Sequence, residues 1–340
     1  MSKFKIIKRN PHQFKKQILE FWEKYLPGTP ANRLDWMGKN PAGAAIWLFA
    51  IEQKTGKLAG IISLLPKKLF LDNKIIRAGI LGDFMLHSEY RAFGPALDLL
   101  KAAIALQGQG KFDFLYTIPN LKSKKIAERA GFKSVGQLYT LMRPQETVFW
   151  LEKYMSPVAA KVLQWPAMLA VKILSRETYV YCRGDFVELD WSDSSFDVFA
   201  EQWKKDQSGM LTGDHQLSYL KWRYLENPES NFRIITFRKH ETGDLLGFFV
   251  VSIKNNRLEI YDLVAAESRY IYTMIKKITD ISKSENCRGV YGVMFDKNPL
   301  MTFARKCCFF DIKDDAEIFT SPGSSEDISQ WYFTSADRNI

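Results

Sequence analysis

Apolar runs of strand length recur at matching places in the two halves of this chain. Residues 45–51 and 232–237 form the first such pair, and a turn containing Gly56 or Gly243 follows each run. Because glycine adopts the backbone conformations of tight turns, each run and its turn predict the beginning of a β-hairpin.

A second pair of apolar runs lies downstream, at residues 80–84 and 259–263, and each run leads into a stretch of helical composition. Asn120 precedes a lysine-rich helical stretch, and Asn298 holds the matching place in the second half. The predicted order of elements in each half is therefore helix, hairpin, strand, helix, strand, helix and strand. This order predicts a mixed α/β fold.

Shared landmarks indicate that the two halves are copies of one unit. Those of the first copy and their counterparts in the second are Trp36, Asn40, Pro41, Gly56 and Gly60, matched by Trp222, Asn227, Pro228, Gly243 and Gly247. From the asparagine onward the spacing is identical. Since features present in both copies serve the fold, we expect each tryptophan to pack a helix onto its sheet and each Asn-Pro to start a turn.

Size and composition agree with two domains. A chain of 340 residues with 46% hydrophobic residues has material for two packed cores. The repeat places a first domain at residues 1–144, a helical linker with a closing strand at 145–190, and a second domain at 191–340.

The net charge and the cysteines indicate which partners the protein binds and in which cellular compartment it acts. The net charge of +10 predicts an anionic partner, but the basic residues are scattered, so we expect no nucleic acid. The four cysteines lack metal-ligand spacing, which predicts reduced thiols and no metal site. Together with a start that lacks the apolar stretch of a signal peptide, they indicate a cytoplasmic protein.

The stretch from Gly82 to Leu100 is a short apolar strand that passes through a turn of small residues into a helix. The first amides of a helix have no intrahelical partner and carry the positive end of its dipole, so they attract anions. Small residues at Gly94 and Ala96 let a phosphate approach the backbone, and Arg91 supplies charge. This geometry predicts a pyrophosphate site.

The spacing of Arg91, Gly94 and Ala96 resembles the coenzyme A signature of the GNAT acyltransferase superfamily. Residues 118–132, with Asn120 followed eleven positions later by Gly131-Phe132, are similar to the closing motif of that family. With the internal repeat, the chain resembles a tandem GNAT-type protein. The resemblance implies two α/β (α+β) domains, each a mixed, mostly antiparallel sheet flanked by helices.

The resemblance also implies acyl transfer from acetyl-CoA or another acyl-CoA to a small-molecule amine, for which an amino sugar is one candidate. It assigns coenzyme binding to Met85, Leu86, His87, Arg91, Ala92, Phe93, Gly94, Pro95, Ala96 and Asn120. Within that set, a backbone N–H near Met85 or Leu86 would polarise the thioester. The second copy has bulky residues from Arg269 to Met274 where the loop should fall, so we expect it to bind no coenzyme.

The catalytic groups are less sharply defined. Asp83 is a candidate base, with His87 and Glu89 as alternatives, but its counterpart Asp262 in the second copy favours a structural role. Many GNAT enzymes carry a tyrosine seven residues after the asparagine to protonate the departing thiolate, and this chain has Ala127 there.

Two other tyrosines, Tyr116 and Tyr139, are candidates to replace that acid. Two alternatives stay open. The missing tyrosine and the missing second loop leave open a GNAT-fold binding protein without turnover. A Fem-type aminoacyltransferase also uses two GNAT-like domains, but the intact coenzyme loop of the first copy disfavours it.

A helical segment at residues 156–174, interrupted at Pro166, connects the copies. Its charge-free run is far shorter than the roughly 20 residues that cross a bilayer. It is either a linker helix packed between the domains or a peripheral membrane contact, since it carries Trp165 and flanking lysines. Residues 178–182 are rich in β-branched and aromatic residues and predict a strand that completes the first sheet.

Overall fold

The computed structural model describes residues 3–72, 74–91, 94–229, 231–312, 316–323 and 330–338. The helices of this part of the chain are α1 (Lys15–Tyr25), α2 (Arg33–Gly38), α3 (Pro95–Gly108), α4 (Leu121–Arg129), α5 (Val148–Leu151), α6 (Pro157–Leu174), α7 (Ser195–Asp206), α8 (Leu217–Leu220), α9 (Ser268–Ser284) and α10 (Leu300–Lys306). The strands of the first half are β1 (Phe4–Lys8), β2 (Ile46–Glu52), β3 (Leu58–Leu71), β4 (Lys74–Leu86), β5 (Phe114–Thr117) and β6 (Lys133–Pro144). The remaining strands are β7 (Asp185–Glu188), β8 (Thr212–Gly213), β9 (Phe232–Arg238), β10 (Leu245–Lys254), β11 (Arg257–Ala265), β12 (Gly289–Phe295), β13 (Phe310–Ile312) and β14 (Glu317–Thr320).

The described strands join in one sheet that crosses both halves. Its order is β1-β2-β3-β4-β5-β14-β6-β12-β11-β10-β9-β7, with β8 paired to β3 and β13 paired to β6. Pairing is antiparallel except for β4 with β5 and β11 with β12, which are parallel. The predicted mixed, mostly antiparallel α/β architecture with flanking helices is therefore confirmed.

Both predicted hairpins are present. Gly56 turns β2 into β3 with φ of +70°, and Gly243 turns β9 into β10 with φ of +75°. Gly60 and Gly247 on the second strand of each hairpin have a shared reason to be glycine. A Cβ would lie 2.7 Å from the carbonyl oxygen of Met85 at the first and 2.6 Å from that of Val264 at the second, so only glycine lets the next strand approach.

Strand β6 belongs to both halves of the sheet. Its first residues pair with β14, and residues 138–144 pair with β12 of the second copy. Strand β14, which lies near the end of the second copy in sequence, returns to lie between β5 and β6 of the first. The two copies therefore exchange strands, and the division of the chain at residue 144, directly after β6, stays a prediction.

The repeated tryptophans meet each other. The Trp36 and Trp222 rings stack with centroids 4.6 Å apart and planes 5° apart. Each indole N–H donates to the backbone carbonyl of the other residue, at 2.7 Å from Trp36 and 2.9 Å from Trp222. Both side chains are buried in the core, and the stack adds a contact that the sequence did not predict. It is a self-complementary contact between the copies, as paired patches form at a two-fold axis.

Two expectations about the connecting segment were wrong. Residues 178–182 form no strand, because the Cys182 amide bonds to Thr273 Oγ1 on α9, and the strand of this region is β7, which pairs with β9 in the second half. Helix α6 runs through Pro166 without interruption. An internal proline costs a helix about 3 kcal/mol. Near the proline, Thr147 Oγ1 donates to the Gln164 carbonyl at 3.2 Å.

We predict that Trp36→Ala lowers the free energy of unfolding by about 3–5 kcal/mol, because it removes a buried indole and the bond that it donates. Urea unfolding followed by circular dichroism measures the change. The matched control is Trp165→Ala on α6, where the side chain is 75% exposed and the expected change is within about 0.5 kcal/mol. Equal effects of the two changes would contradict a role for Trp36 in joining the copies.

Candidate functional site

A cleft opens in the first half where β4 and β5 stop pairing. The two parallel strands pair only from Ala78 with Phe114 to Ile80 with Tyr116. Among the described residues, no strand pairs with that edge of β4 beyond Ile80. A bulge lies just past this point, because Ile61 pairs with Met85 while Ser63 pairs with Gly82. The bulge bends β4 away from β5.

The alternation of β4 leaves a backbone donor facing the cleft. The His87 amide donates to the Ala59 carbonyl at 3.0 Å, towards β3. Since successive amides of a strand point to opposite edges, the Leu86 amide faces the side from which β5 has diverged. This is the region in which the sequence predicted the amide that polarises a thioester.

The turn after β4 has the backbone geometry of an anion site. Gly94 adopts φ of +90° at the N-cap of α3, and a Cβ there would meet no atom of the described residues outside its chain neighbours within 4 Å. Pro95, which has no N–H, begins the helix, and Ala96 follows. The positive end of this 14-residue helix, whose first turn also carries Asp98, therefore lies at the turn of Gly94. Ala92 and Phe93 lie outside the described residues.

Side chains of α1 flank this turn, and the sequence analysis missed them. The Phe21 ring lies 4.4 Å from the His87 ring, and the exposed Arg91 guanidinium lies 5.4 Å from the centre of the Tyr25 ring. The Tyr25 hydroxyl is buried and has no hydrogen-bond partner in the part of the chain that the structure describes. Phe21 and Tyr25 are four residues apart on one helix face, which is the signal that marks them as a pair.

Asp83 is held by three donors. Its carboxylate accepts bonds from Trp22 Nε1 at 2.9 Å, Arg33 Nη1 at 2.6 Å and Ser63 Oγ at 2.6 Å. Asp83 itself sits in the bulge with φ of +46°, a conformation that aspartate tolerates better than most residues. The carboxylate thus ties α1, α2 and β3 to the bulge of β4. These contacts favour the structural interpretation, and a role for Asp83 as base stays a prediction.

The Arg33 guanidinium completes this buried charge cluster. Burial alone would lower its pKa, but the charges of Asp83 and then of Glu229, with which it also pairs, raise the pKa of Arg33 above its usual value. Glu229 comes from the second copy, so the cluster also joins the two halves.

The other predicted site residues lie in separate places. Tyr116 is fully buried and donates to the Asp337 carbonyl at 2.8 Å, and burial raises its pKa well above the usual value. Tyr139 lies on the part of β6 that pairs with β12, with its ring 6.0 Å from the Arg305 guanidinium on α10. Asn120 caps α4, its Oδ1 accepting from the amides of Lys122 and Ser123 at 3.0 Å each. The structure does not bring these three side chains together.

The equivalent cleft of the second copy is filled by the chain itself. Strands β11 and β12 pair only as far as Ile260 with Gly292, and residues 331–337 lie in the gap beyond. Asn298, the counterpart of Asn120, donates to the Phe333 carbonyl at 2.8 Å, and the Tyr332 hydroxyl donates to the Leu263 carbonyl at 2.6 Å. Thr334 bridges to Met294 on β12. This segment therefore closes the gap between β11 and β12.

A buried polar cluster fixes that segment between the halves. Lys67 Nζ donates to the Ala336 carbonyl at 2.8 Å and lies 3.1 Å from Asp337 Oδ1. Burial lowers the pKa of Lys67 to about 8, the Asp337 charge opposing that shift and the Arg223 charge adding to it. Arg223 donates to the Arg338 carbonyl at 2.6 Å. These bonds hold the segment in the second cleft.

Structure comparison places these two clefts in a known architecture. A conserved protein of unknown function from Enterococcus faecalis V583, described as a probable N-acyltransferase, aligns with a TM-score of 0.69 at 11% identity over 96% of this chain and 74% of its own. A tandem GNAT protein from the clavulanic acid biosynthesis pathway aligns with a TM-score of 0.58 at 12% identity over 94% of this chain and 98% of its own.

The chain has the tandem GNAT fold. The same fold relates it to the N-myristoyltransferase of Saccharomyces cerevisiae, crystallised with myristoyl-CoA, with a TM-score of 0.59 at 11% identity over 100% of this chain and 86% of that one. No family model matches the chain, and no curated protein sequence matches it. The tandem GNAT fold is therefore established by structure, and the activity has to be argued from the site.

We predict that Asp83→Asn lowers the free energy of unfolding by about 3–5 kcal/mol, because it removes one of the two carboxylates that pair with the buried Arg33 guanidinium. Urea unfolding measures the loss, and Asp35→Asn on the exposed side of α2 serves as control, with an expected loss below about 1 kcal/mol. An Asp83→Asn protein of unchanged stability that had lost turnover would instead identify Asp83 as the base.

Proposed function

We propose that this protein is an acyl-CoA-dependent N-acyltransferase whose first copy binds the coenzyme. One observation carries the proposal, which is the contrast between the two clefts. The first is open at β4 and continues into the turn at Gly94, whereas residues 331–337 fill the second. An open cleft that ends at the start of a helix suits an extended ligand with a pyrophosphate, as coenzyme A is.

The start of α9 in the second copy offers no comparable loop. Its N-cap is Glu267, whose carboxylate already accepts from Arg269 and Tyr270. The Cys182 amide and thiol lie against the first turns of this helix, bonding to Thr273 and Arg269. The Glu267 carboxylate at the N-cap disfavours an anion at that position, which supports one coenzyme site per chain.

The chemistry needs little from the side chains. A neutral amine attacks the thioester carbonyl, the new C–N bond forms, the C–S bond breaks, and the electron pair leaves on sulfur. The Leu86 amide at the edge of the cleft is placed to donate to the developing oxyanion. The amine loses its proton to a base or to water, and the thiolate, with a pKa near 8.5, needs no strong acid. Because the thiolate needs no strong acid, the proposed transfer does not require a tyrosine in place of Ala127.

For the acceptor we propose a small amine, with an amino sugar as the first class to test. The net charge of +10 favours an anionic acceptor, such as an amino sugar linked to a nucleotide. The four free cysteines, which lie in the described part of the chain, are consistent with a reducing compartment, so we propose that the protein acts in the cytoplasm.

Calorimetric titration with acetyl-CoA and longer acyl-CoAs tests the proposal, with thiol release across an amine panel as the second measurement. We expect one coenzyme per chain and thiol release that depends on the amine. The absence of binding at millimolar coenzyme would overturn the proposal. Binding without thiol release for any amine would instead show a coenzyme-binding protein that lacks turnover.

We predict that Arg91→Ala weakens coenzyme binding by about 10- to 100-fold, because it removes a charge-assisted contact to phosphate. The matched control is Arg269→Ala, which removes an exposed arginine at the corresponding place in the second copy and should leave the affinity unchanged. Equal effects of both changes would assign the coenzyme to neither loop, and the reverse ranking would assign it to the second copy.

A further inference from the structure

Helix α6 carries its apolar stripe on the outside. Val158, Val162, Trp165, Leu169 and Ile173 follow one another at intervals of four, three, four and four residues, so they lie on one face, and each is more than half exposed. The inner face carries Ala160, the one fully buried residue of this helix. A surface helix of a soluble protein normally turns such a stripe towards the core, so this face is built to meet an apolar partner.

The charges around the stripe are all positive. From Ser156 to Arg176 the chain contains no acidic residue and carries Lys161, Lys172 and Arg176. Lysine stems at the border of an apolar face lie along it and keep their ammonium groups in the headgroup layer. A helix with an aromatic and aliphatic face and only basic residues at its border has the composition of an interfacial membrane helix.

A cavity beside the stripe adds a buried donor. It has a volume of about 580 Å³ and lies between α6 and α9. Trp165 and Leu169 of the stripe line it together with Lys172, and its walls also carry Lys276, Lys283, Glu177 and Asp280. Arg143 at this cavity is 6% exposed and pairs with Glu177 through Nη2, while its Nε and Nη1 have no partner among the described residues. A buried guanidinium with unused donors suits an anionic group.

The helix is attached along its length, so it lies on a surface. Among the described residues, α6 alone has the length and hydropathy of a membrane-spanning helix. Yet Cys308 Sγ contacts the Val171 carbonyl at 3.6 Å, and Tyr179 donates to the Ile173 carbonyl at 2.8 Å. Crossing a bilayer would break these contacts and those of Ala160.

We propose that α6 docks this protein on an anionic membrane surface, lying flat with the stripe from Val158 to Ile173 at the boundary of headgroups and acyl chains. A second copy of the chain is the competing occupant of this face. The basic borders disfavour it, since two such faces brought together would place their lysines against each other.

Flotation with vesicles tests the proposal. The full-length protein is mixed with vesicles of neutral phosphatidylcholine, with or without 30% phosphatidylglycerol, at low and high salt. The test variants are Trp165→Glu and Leu169→Glu. The control is Val198→Glu on α7, which introduces the same charge at an aliphatic residue that is 71% exposed. Size-exclusion chromatography with light scattering reports the oligomeric state of each protein.

We expect the wild-type protein to float with anionic vesicles, less so with neutral ones and less at high salt. The two α6 variants should bind about tenfold more weakly or worse, and Val198→Glu should match the wild type. Unchanged acetyl-CoA binding by the variants would show that they are folded. No flotation of the wild-type protein, an equal loss for Val198→Glu, or a dimer that Leu169→Glu makes monomeric would overturn the proposal.

Discussion

The architecture depends on one strand that both copies share. Strand β6 begins beside β14 in the first half and ends beside β12 in the second, so the edge of each half is covered by the other. An uncovered edge at this junction would expose unpaired amides and carbonyls, and the shared strand prevents that for both copies. The Trp36–Trp222 stack and the pair of Arg33 with Glu229 act across the same junction. The positions of the two clefts are fixed relative to each other by these contacts.

This junction explains how two copies with one fold take different roles. In both, the parallel strands part after three or four residue pairs, and a bulge lies beside the gap. In the second copy the gap holds Tyr332, Phe333 and Thr334, and Asn298 bonds to that segment rather than to a ligand. The copies therefore differ in what occupies the cleft. In the second copy a segment of the chain itself fills it, and in the first, under our proposal, coenzyme A binds there.

Local patterns predicted the repeated elements of this fold well. The hairpins at Gly56 and Gly243, strands β4 and β11, and the helix starts at Asn120 and Asn298 all depend on neighbouring residues in sequence, and the structure confirms them. Contacts between residues far apart in sequence could not be predicted from these local patterns. Three features depend on which surfaces meet in space, namely the exchange of β14, the Trp36–Trp222 stack and the position of β7. The sequence pattern of a strand does not identify the strand with which it pairs.

The site shows the same division. The turn from Gly94 to Ala96 could be located from the sequence because glycine followed by proline is typical of the start of a helix. The environment of Asp83 could not be predicted from the sequence. Its three donors are Trp22, Arg33 and Ser63, which lie 20 to 61 residues away in sequence on three different elements. Tyr25, whose hydroxyl has no hydrogen-bond partner among the residues that the structure describes, becomes notable only once α1 is seen beside Arg91.

The return of β14 has a consequence for the order in which the protein forms. Domains commonly fold one after another while the ribosome is still extending the chain. Here β5 and β6, both complete by residue 144, lack the strand between them until residues 317–320 have been made. The nascent first half carries that gap through the synthesis of the whole second half, and during this interval its exposed edges are the surfaces that a chaperone would have to shield.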